Sequence, residues 1–294
     1  MSGAVLTVAV GRTPWVEVLA SLAAHRVLTS AQVHAIHLPE ASLRRAQALL
    51  ADLRREGLAA AAPGLRAQRV WFVTEAGLDA VRSAGALERE PPLLDERSAA
   101  GRLMVHTLAV NDVGIAFMHA ARLHGEEFGP LSWRHEVAHP LGASRRRGRP
   151  VLVTDAVLTY LREEDGTTIL EQRFCEVDRA TRSIEGLAGW LAGYLRLRGA
   201  IDGDGEPLWR QAYPAFPSVV CVLAGAEARL LHRRRDRVGA LLRANPEVAR
   251  SPHPAIRICL LEELCERGPY APIFREARTE SGAVDWLGRA EGEA

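Results

Sequence analysis

The dipeptide Asp165-Gly166 constrains this chain more than any other feature. It sits between two apolar, β-branched runs, Val151 to Tyr160 and Thr168 to Val177. Asp-Gly favours a two-residue type I′ turn, because both central residues take positive φ. Such a turn fixes the register. The numbers of paired residues then add to 331, as those of the two turn residues do, and Asp155 falls opposite Glu176. Side chains alternate along a strand, so Asp178 shares the face of Glu176. Three carboxylates converge, and like charges directly opposite destabilise a strand pair. A divalent cation or an arginine would compensate. Hard oxygen ligands on adjacent strands suit Mg²⁺ or Mn²⁺. Asp155 and Glu176 are the candidate metal ligands, and Asp155, Glu176 and Asp178 the candidate catalytic residues.

The hairpin is embedded in a mixed α/β pattern. Leu103 to Leu123 reads as a long helix and Leu131 to Val137 as a strand. After the hairpin, Ser183 to Leu197 is a helix with Ile184, Leu187, Leu191 and Leu195 on one stripe. Pro217 to Ala224 is a continuous apolar run, as a buried central strand is. Glu227 to Arg243 is a helix, Ala255 to Leu260 a strand, and a short helix follows. The order predicts a three-stranded meander feeding a parallel crossover.

The first third reads differently. Trp15 to Ala24 carries Val16, Leu19, Leu22 and Ala23 at helical spacing. Thr29-Ser30 caps a short helix through Val33 and Ile36. Ser42 to Glu56 is a third helix with Leu43, Ala46, Leu50 and Leu53 on one stripe, and Gly57 ends it. Leu58 to Ala61 and Arg69 to Val73 are short strands, and Thr74 to Val81 is helical again. Three helices and a β-hairpin predict a winged helix-turn-helix over residues 1–87. The charged, proline-broken stretch Glu88 to Pro92 opens a linker over 88–101, and the second domain takes 102–294. The fold class is thus α+β.

Charge decides between partners only locally. The whole chain has 37 basic and 36 acidic residues. Residues 1–87, however, hold nine arginines against six acids. Ser42, Arg44, Arg45, Gln47 and Arg54 lie on the third helix, and Arg66 and Arg69 at the hairpin. A recognition helix with a basic wing matches what double-stranded DNA requires. Arg145, Arg146 and Arg147 in a Gly/Pro-flanked loop are further candidate phosphate contacts, and so is the run Arg233 to Arg235. A winged helix used for protein contacts, with the arginines as a solvated face, is the plainer alternative.

Every basic residue is arginine, since the chain has no lysine. That excludes a Schiff-base lysine and a P-loop lysine. No apolar run reaches the roughly 20 residues of a membrane span, and Met1 to Ala4 lacks a basic leader. Four cysteines without CxxC spacing, Cys221 and Cys259 in strand-like runs, fit buried thiols in a reducing cytoplasm.

Asp155, a hairpin and Glu176-Val177-Asp178 within α-β-β-β-α-β resemble the PD-(D/E)xK nuclease superfamily, whose restriction-endonuclease-like fold this implies for the second domain. The superfamily's carboxylates map onto Asp155 and Glu176, and its lysine onto Asp178. A closer resemblance is to the actinobacterial replication-relaxation family, which sets a winged helix before such a domain. It is carried by Leu103 to Val113, Trp133-Arg134-His135-Glu136, Thr154-Asp155-Ala156, Glu176 to Thr181, and Trp209 with Tyr213 to Pro217. The resemblance implies a role in plasmid or mobile-element replication and processing, with replication or transfer proteins as partners and a homodimer as one assembly. Two alternatives stay open: an Mg²⁺-dependent DNA endonuclease, and a winged-helix transcriptional regulator. Without a lysine, the expectation for the carboxylates is an inactive site whose acids pair with Arg179, Arg182 or Arg134.

His135-Glu136-Val137-Ala138-His139 matches HExxH, a zinc motif that works only on a helix. Here it reads as strand and Pro140 follows. Its histidines would share a face about 13 Å apart, too far for one ion. Glu136 is a candidate extra acid beside Asp155. His34 and His37 lack metal-ligand neighbours and read as surface or core histidines.

Overall fold

A computed structural model describes residues 14–65, 68–87, 91–101, 103–142, 150–251, 253–280 and 282–292. The fold is mixed α+β and divides into two compact units, residues 1–108 and 109–294.

The first unit runs α1 (Pro14–His25), β1 (Leu28–Thr29), α2 (Ser30–His37), α3 (Leu43–Arg55), β2 (Ala59–Pro63), β3 (Arg69–Val73), α4 (Glu75–Ser83) and α5 (Glu96–Ala99). Local chemistry sets these boundaries. Thr29 and Gln32 form a capping box at the start of α2, each side chain accepting the other's backbone N–H at 3.1 Å. Gly57, at φ +73°, ends α3, and the Leu58 N–H closes the last turn on the Leu53 carbonyl at 2.9 Å. The strands form a small antiparallel sheet in the order β1-β3-β2. Ala46, Leu50 and Leu53 bury one stripe of α3. Leu43, expected on that stripe, is 42% exposed, because it occupies the helix tip beyond the packed core. Ala99 and Met104 bury against Val70 and Phe72, so the segment through Leu108 packs with this unit.

Helix α6 (Met104–His124) crosses the division point and leads into the second unit. That unit continues β4 (Trp133–Pro140), β5 (Val151–Glu164), β6 (Thr167–Asp178), α7 (Ile184–Arg198), β7 (Ser218–Leu223), α8 (Ala228–Ala244), α9 (Pro246–Arg250), β8 (Ile256–Leu260), α10 (Leu261–Arg267) and β9 (Arg275–Glu276). A six-stranded sheet has the order β4-β5-β6-β7-β8-β9. Its first three strands are an antiparallel meander, β6-β7-β8 are parallel, and β9 closes the edge antiparallel. Parallel neighbours need crossovers, and α7 and α8 supply them.

Both crossover helices pack on one sheet face, where Leu187, Leu191, Leu231 and Val238 meet Val157, Phe174, Val219 and Cys221. The other face is aromatic. Trp133 stacks on Phe128 at 5.8 Å, and Phe117 of α6 meets Trp286 edge-on at 5.2 Å. Cys175, Cys221 and Cys259 are buried free thiols in the sheet, whereas Cys265 is exposed. No helix among the described residues is long and apolar enough to cross a membrane.

Candidate functional site

On α3, the face opposite the buried stripe carries the polar residues. Ser42, Arg44, Arg45, Gln47, Arg54 and Arg55 are all exposed. At 100° per residue, Arg44 and Arg55 point directly away from the core. Arg45 flanks one side of that line, and Gln47 and Arg54 the other. Ser42 is the N-cap residue but makes no capping hydrogen bond. The β2–β3 hairpin is closed by Gly64 N–H to the Gln68 carbonyl at 2.7 Å, and Arg69 is exposed at its end. Arg66 lies outside the described residues, as do Arg145, Arg146 and Arg147. His34 and His37 have protein partners, the Ala41 carbonyl at 2.7 Å and the Ser21 hydroxyl at 2.9 Å.

In the second unit the predicted turn forms. Asp165 and Gly166 take φ +50° and +73°, and every β5–β6 pair from Glu164↔Thr167 to Ala156↔Cys175 adds to 331. One step further the ladder breaks. Thr154 is fully buried, and its hydroxyl donates to the Ala156 carbonyl at 2.9 Å. The half-buried Asp155 accepts the Val177 N–H at 2.8 Å through Oδ2. Asp155 thus satisfies a backbone donor that the broken ladder leaves over.

Glu176 is 1% exposed. The Tyr194 hydroxyl of α7 donates to its Oε1, and its Oε2 is buried with no hydrogen-bond partner. Burial, reinforced by the charge of Asp155, pushes its pKa up to about 8. The Tyr194 hydroxyl, the Trp190 indole and the Arg182 charge pull the other way without cancelling this. Asp178 is 3% exposed, and its Oδ2 accepts Arg234 Nε of α8 at 2.7 Å. Its arginine is therefore none of the three expected from sequence. Arg182 is turned elsewhere, with its guanidinium 4.5 Å from the Trp190 ring and its carbonyl accepting Arg234 Nη2 at 2.6 Å. Arg234 and Arg235 keep only 12% and 11% of their side-chain surface and pair with Asp178 and Asp236. Arg233 remains exposed.

Each carboxylate of the trio is thus held by a donor of the protein itself. Among the described residues, no group of three His, Cys, Asp or Glu side chains is arranged to hold a metal ion. A resident Mg²⁺ or Mn²⁺ requires ionised, converging oxygens, whereas in the metal-free protein Glu176 keeps its proton and Asp178 is paired with Arg234.

A pH dependence follows. The unfolded Glu176 ionises near 4.5, whereas the folded group keeps its proton to about 8. Its contribution to stability is full below 4.5 and is lost as pH rises through about 8. Glu176→Gln keeps the acceptor for Tyr194 and cannot ionise. It should match the parent at pH 4 and be more stable at pH 8, measured by urea midpoints. Equal midpoints at both values would show that Glu176 is solvated.

The HExxH segment is strand, and its histidines do not share a face. Glu136 takes φ +49°, and the β4–β5 pairing skips it opposite Asp155. This kink sends His135 to Asn111 of α6 at 2.9 Å and His139 to the Tyr213 hydroxyl at 2.7 Å on the other side. Burial lowers the His139 pKa to about 4, so it is neutral at physiological pH. Glu136 is exposed.

A family model described as replication-relaxation matches residues 19–204, well over half of the chain. The chain belongs to the replication-relaxation family. No curated protein and no solved structure matches it. For this replication-relaxation protein, the matched region holds α3, the hairpin and all three carboxylates. It stops before α8, so Arg234, which pairs with Asp178, lies outside it. Sequence reasoning missed Arg234 and Tyr194 as partners. Tyr194 could have been found, since it continues the Leu187–Leu191 stripe by three residues and must face the sheet.

Proposed function

We propose that this replication-relaxation protein binds double-stranded DNA in plasmid or mobile-element replication or processing, through a winged helix in its first unit. The order α-β-α-α-β-β with a β1-β3-β2 sheet supports that architecture. The observation that carries the reading is the exposed face of α3, where Arg44, Arg45 and Gln47 stand clear of the core. A helix presenting such side chains suits the major groove, with arginines for phosphate or guanine and glutamine for adenine. Arg69 at the hairpin adds a backbone contact. The Arg44→Ala, Arg45→Ala double variant should bind duplex DNA more weakly, and each lost phosphate contact should flatten the log Kobs against log[salt] slope by about one unit. Affinity and slope equal to those of the parent would refute the reading.

The second unit is, in this reading, a restriction-endonuclease-like domain whose carboxylates have become structural. Phosphodiester cleavage needs a nucleophilic water and charge stabilisation at the phosphorane. Asp178 stands where the superfamily carries lysine and is neutralised by Arg234. Glu176 is held protonated at neutral pH by burial. Neither can activate water as placed. Supercoiled plasmid incubated with Mg²⁺ or Mn²⁺ should stay intact. Nicking by the parent that is abolished in both Asp155→Ala and Glu176→Ala would establish the endonuclease instead.

A further inference from the structure

A cleft of about 520 Å³ opens in the second unit between the end of α7, the Leu208–Gln211 3-10 turn and α9. Its size lies in the range of small-molecule sites, about 300–1,000 Å³. Three arginines line it, Arg196 and Arg198 from the last turn of α7 and Arg210 from the 3-10 turn, against one acid, Glu247. Their roles in the fold are slight. Among the described residues the Arg196 side chain has neither a hydrogen bond nor an ion pair. Arg210 pairs with Glu206 at 3.4 Å, both side chains being more than 60% exposed. Arg198 makes long contacts of 3.3 and 3.4 Å to the Ser251 hydroxyl and the His253 carbonyl. Arg196 and Arg210 are exposed, and Arg198 is half-buried with long contacts only, so the three guanidinium groups are available to an anion.

The rest of the lining is apolar. Leu195 and Pro207 flank Trp209, whose ring is held edge-on by Phe216 at 5.5 Å. The Arg210 guanidinium lies 5.5 Å from the Trp209 ring centre. A fixed indole beside a cluster of guanidinium groups matches a ligand with a flat aromatic body and a phosphate: base against ring, phosphate in the arginine fork.

We infer that this cleft binds a nucleotide unit, with its phosphate on Arg196, Arg198 and Arg210 and its base against Trp209. Its lining residues all belong to the second unit, whereas α3 and the β2–β3 hairpin belong to the first. The ligand chemistry has two sources, a free nucleotide and a nucleotide within single-stranded DNA.

The test uses the full chain and a fluorescein-labelled oligothymidylate, with thymidine 5′-monophosphate as competitor. The oligonucleotide should bind. Arg196→Ala with Arg210→Ala should weaken it by about tenfold or more, as the loss of charge-assisted hydrogen bonds implies. The melting temperature should not change, because both side chains are exposed. The same Arg196/Arg210 double variant should keep the parent's affinity for duplex DNA, which separates this site from the duplex interface. Displacement by the monophosphate at micromolar levels identifies free nucleotide as the ligand. Binding that the monophosphate does not displace identifies the strand. No binding of either probe, or binding that survives the Arg196/Arg210 double variant, overturns the inference.

Discussion

Arg234→Ala should cost the second unit about 3–5 kcal/mol, the price of leaving a buried charge unpaired. Asp178 is 3% exposed, and the Arg234 guanidinium is its ion-pair partner in a site where Asp178 Oδ1 already lacks a hydrogen bond. Removing the arginine also strands the Arg182 carbonyl, which accepts from Nη2. The net worth of the pair is a separate quantity. Exchanging both members for apolar residues of similar size, Asp178→Leu with Arg234→Met, should recover most of the loss. Hydrogen exchange of the β6 and α8 amides in the full chain reads both variants. A loss below about 1 kcal/mol for Arg234→Ala is the range of exposed pairs and would show that the site is wet.

Gly77→Ala should destabilise the first unit by about 3 kcal/mol, at the upper end of the usual cost of overpacking. Gly77 lies in the first turn of α4, where a Cβ would stand 2.0 Å from the Leu58 carbonyl oxygen and 2.9 Å from a Val73 methyl. The nearest atom is backbone at the start of β2, so no rotamer change relieves the contact. Helix propensity runs the other way, by about 1 kcal/mol in favour of alanine. The steric cost exceeds it. Gly189→Ala in α7 is the control: its Cβ meets nothing within 4 Å, and propensity alone should stabilise it. Circular dichroism melts of the two variants should therefore shift in opposite directions. Shifts of the same sign would mean that α4 can move away from β2.

Much of the fold was legible because its signals are local. A helix such as α3 declares itself through Ala46, Leu50 and Leu53 at helical spacing and through the glycine that ends it. The β5–β6 register was legible for the same reason, since two turn residues with positive φ dictate every pair up to Ala156↔Cys175. The exposed face of α3 followed once the buried stripe was known. The histidines of β4 were not legible. Parity along an ideal strand places His135 and His139 on one face, and the left-handed Glu136 reverses that.

The order of residues thus determined which segments are helix or strand, the Asp165-Gly166 turn, and the β5–β6 register as far as Ala156↔Cys175. Each depends on backbone preferences within a few residues. Only the tertiary structure decided what state the three acids are in. Register says that three carboxylates approach one another but not what covers them. The covering groups come from α7 and α8, 18 residues beyond Glu176 for Tyr194 and 56 beyond Asp178 for Arg234. Burial under those helices holds a proton on Glu176, and the guanidinium neutralises Asp178. Desolvation and long-range pairing depend on what packs above a side chain, and that is a property of the assembled layers.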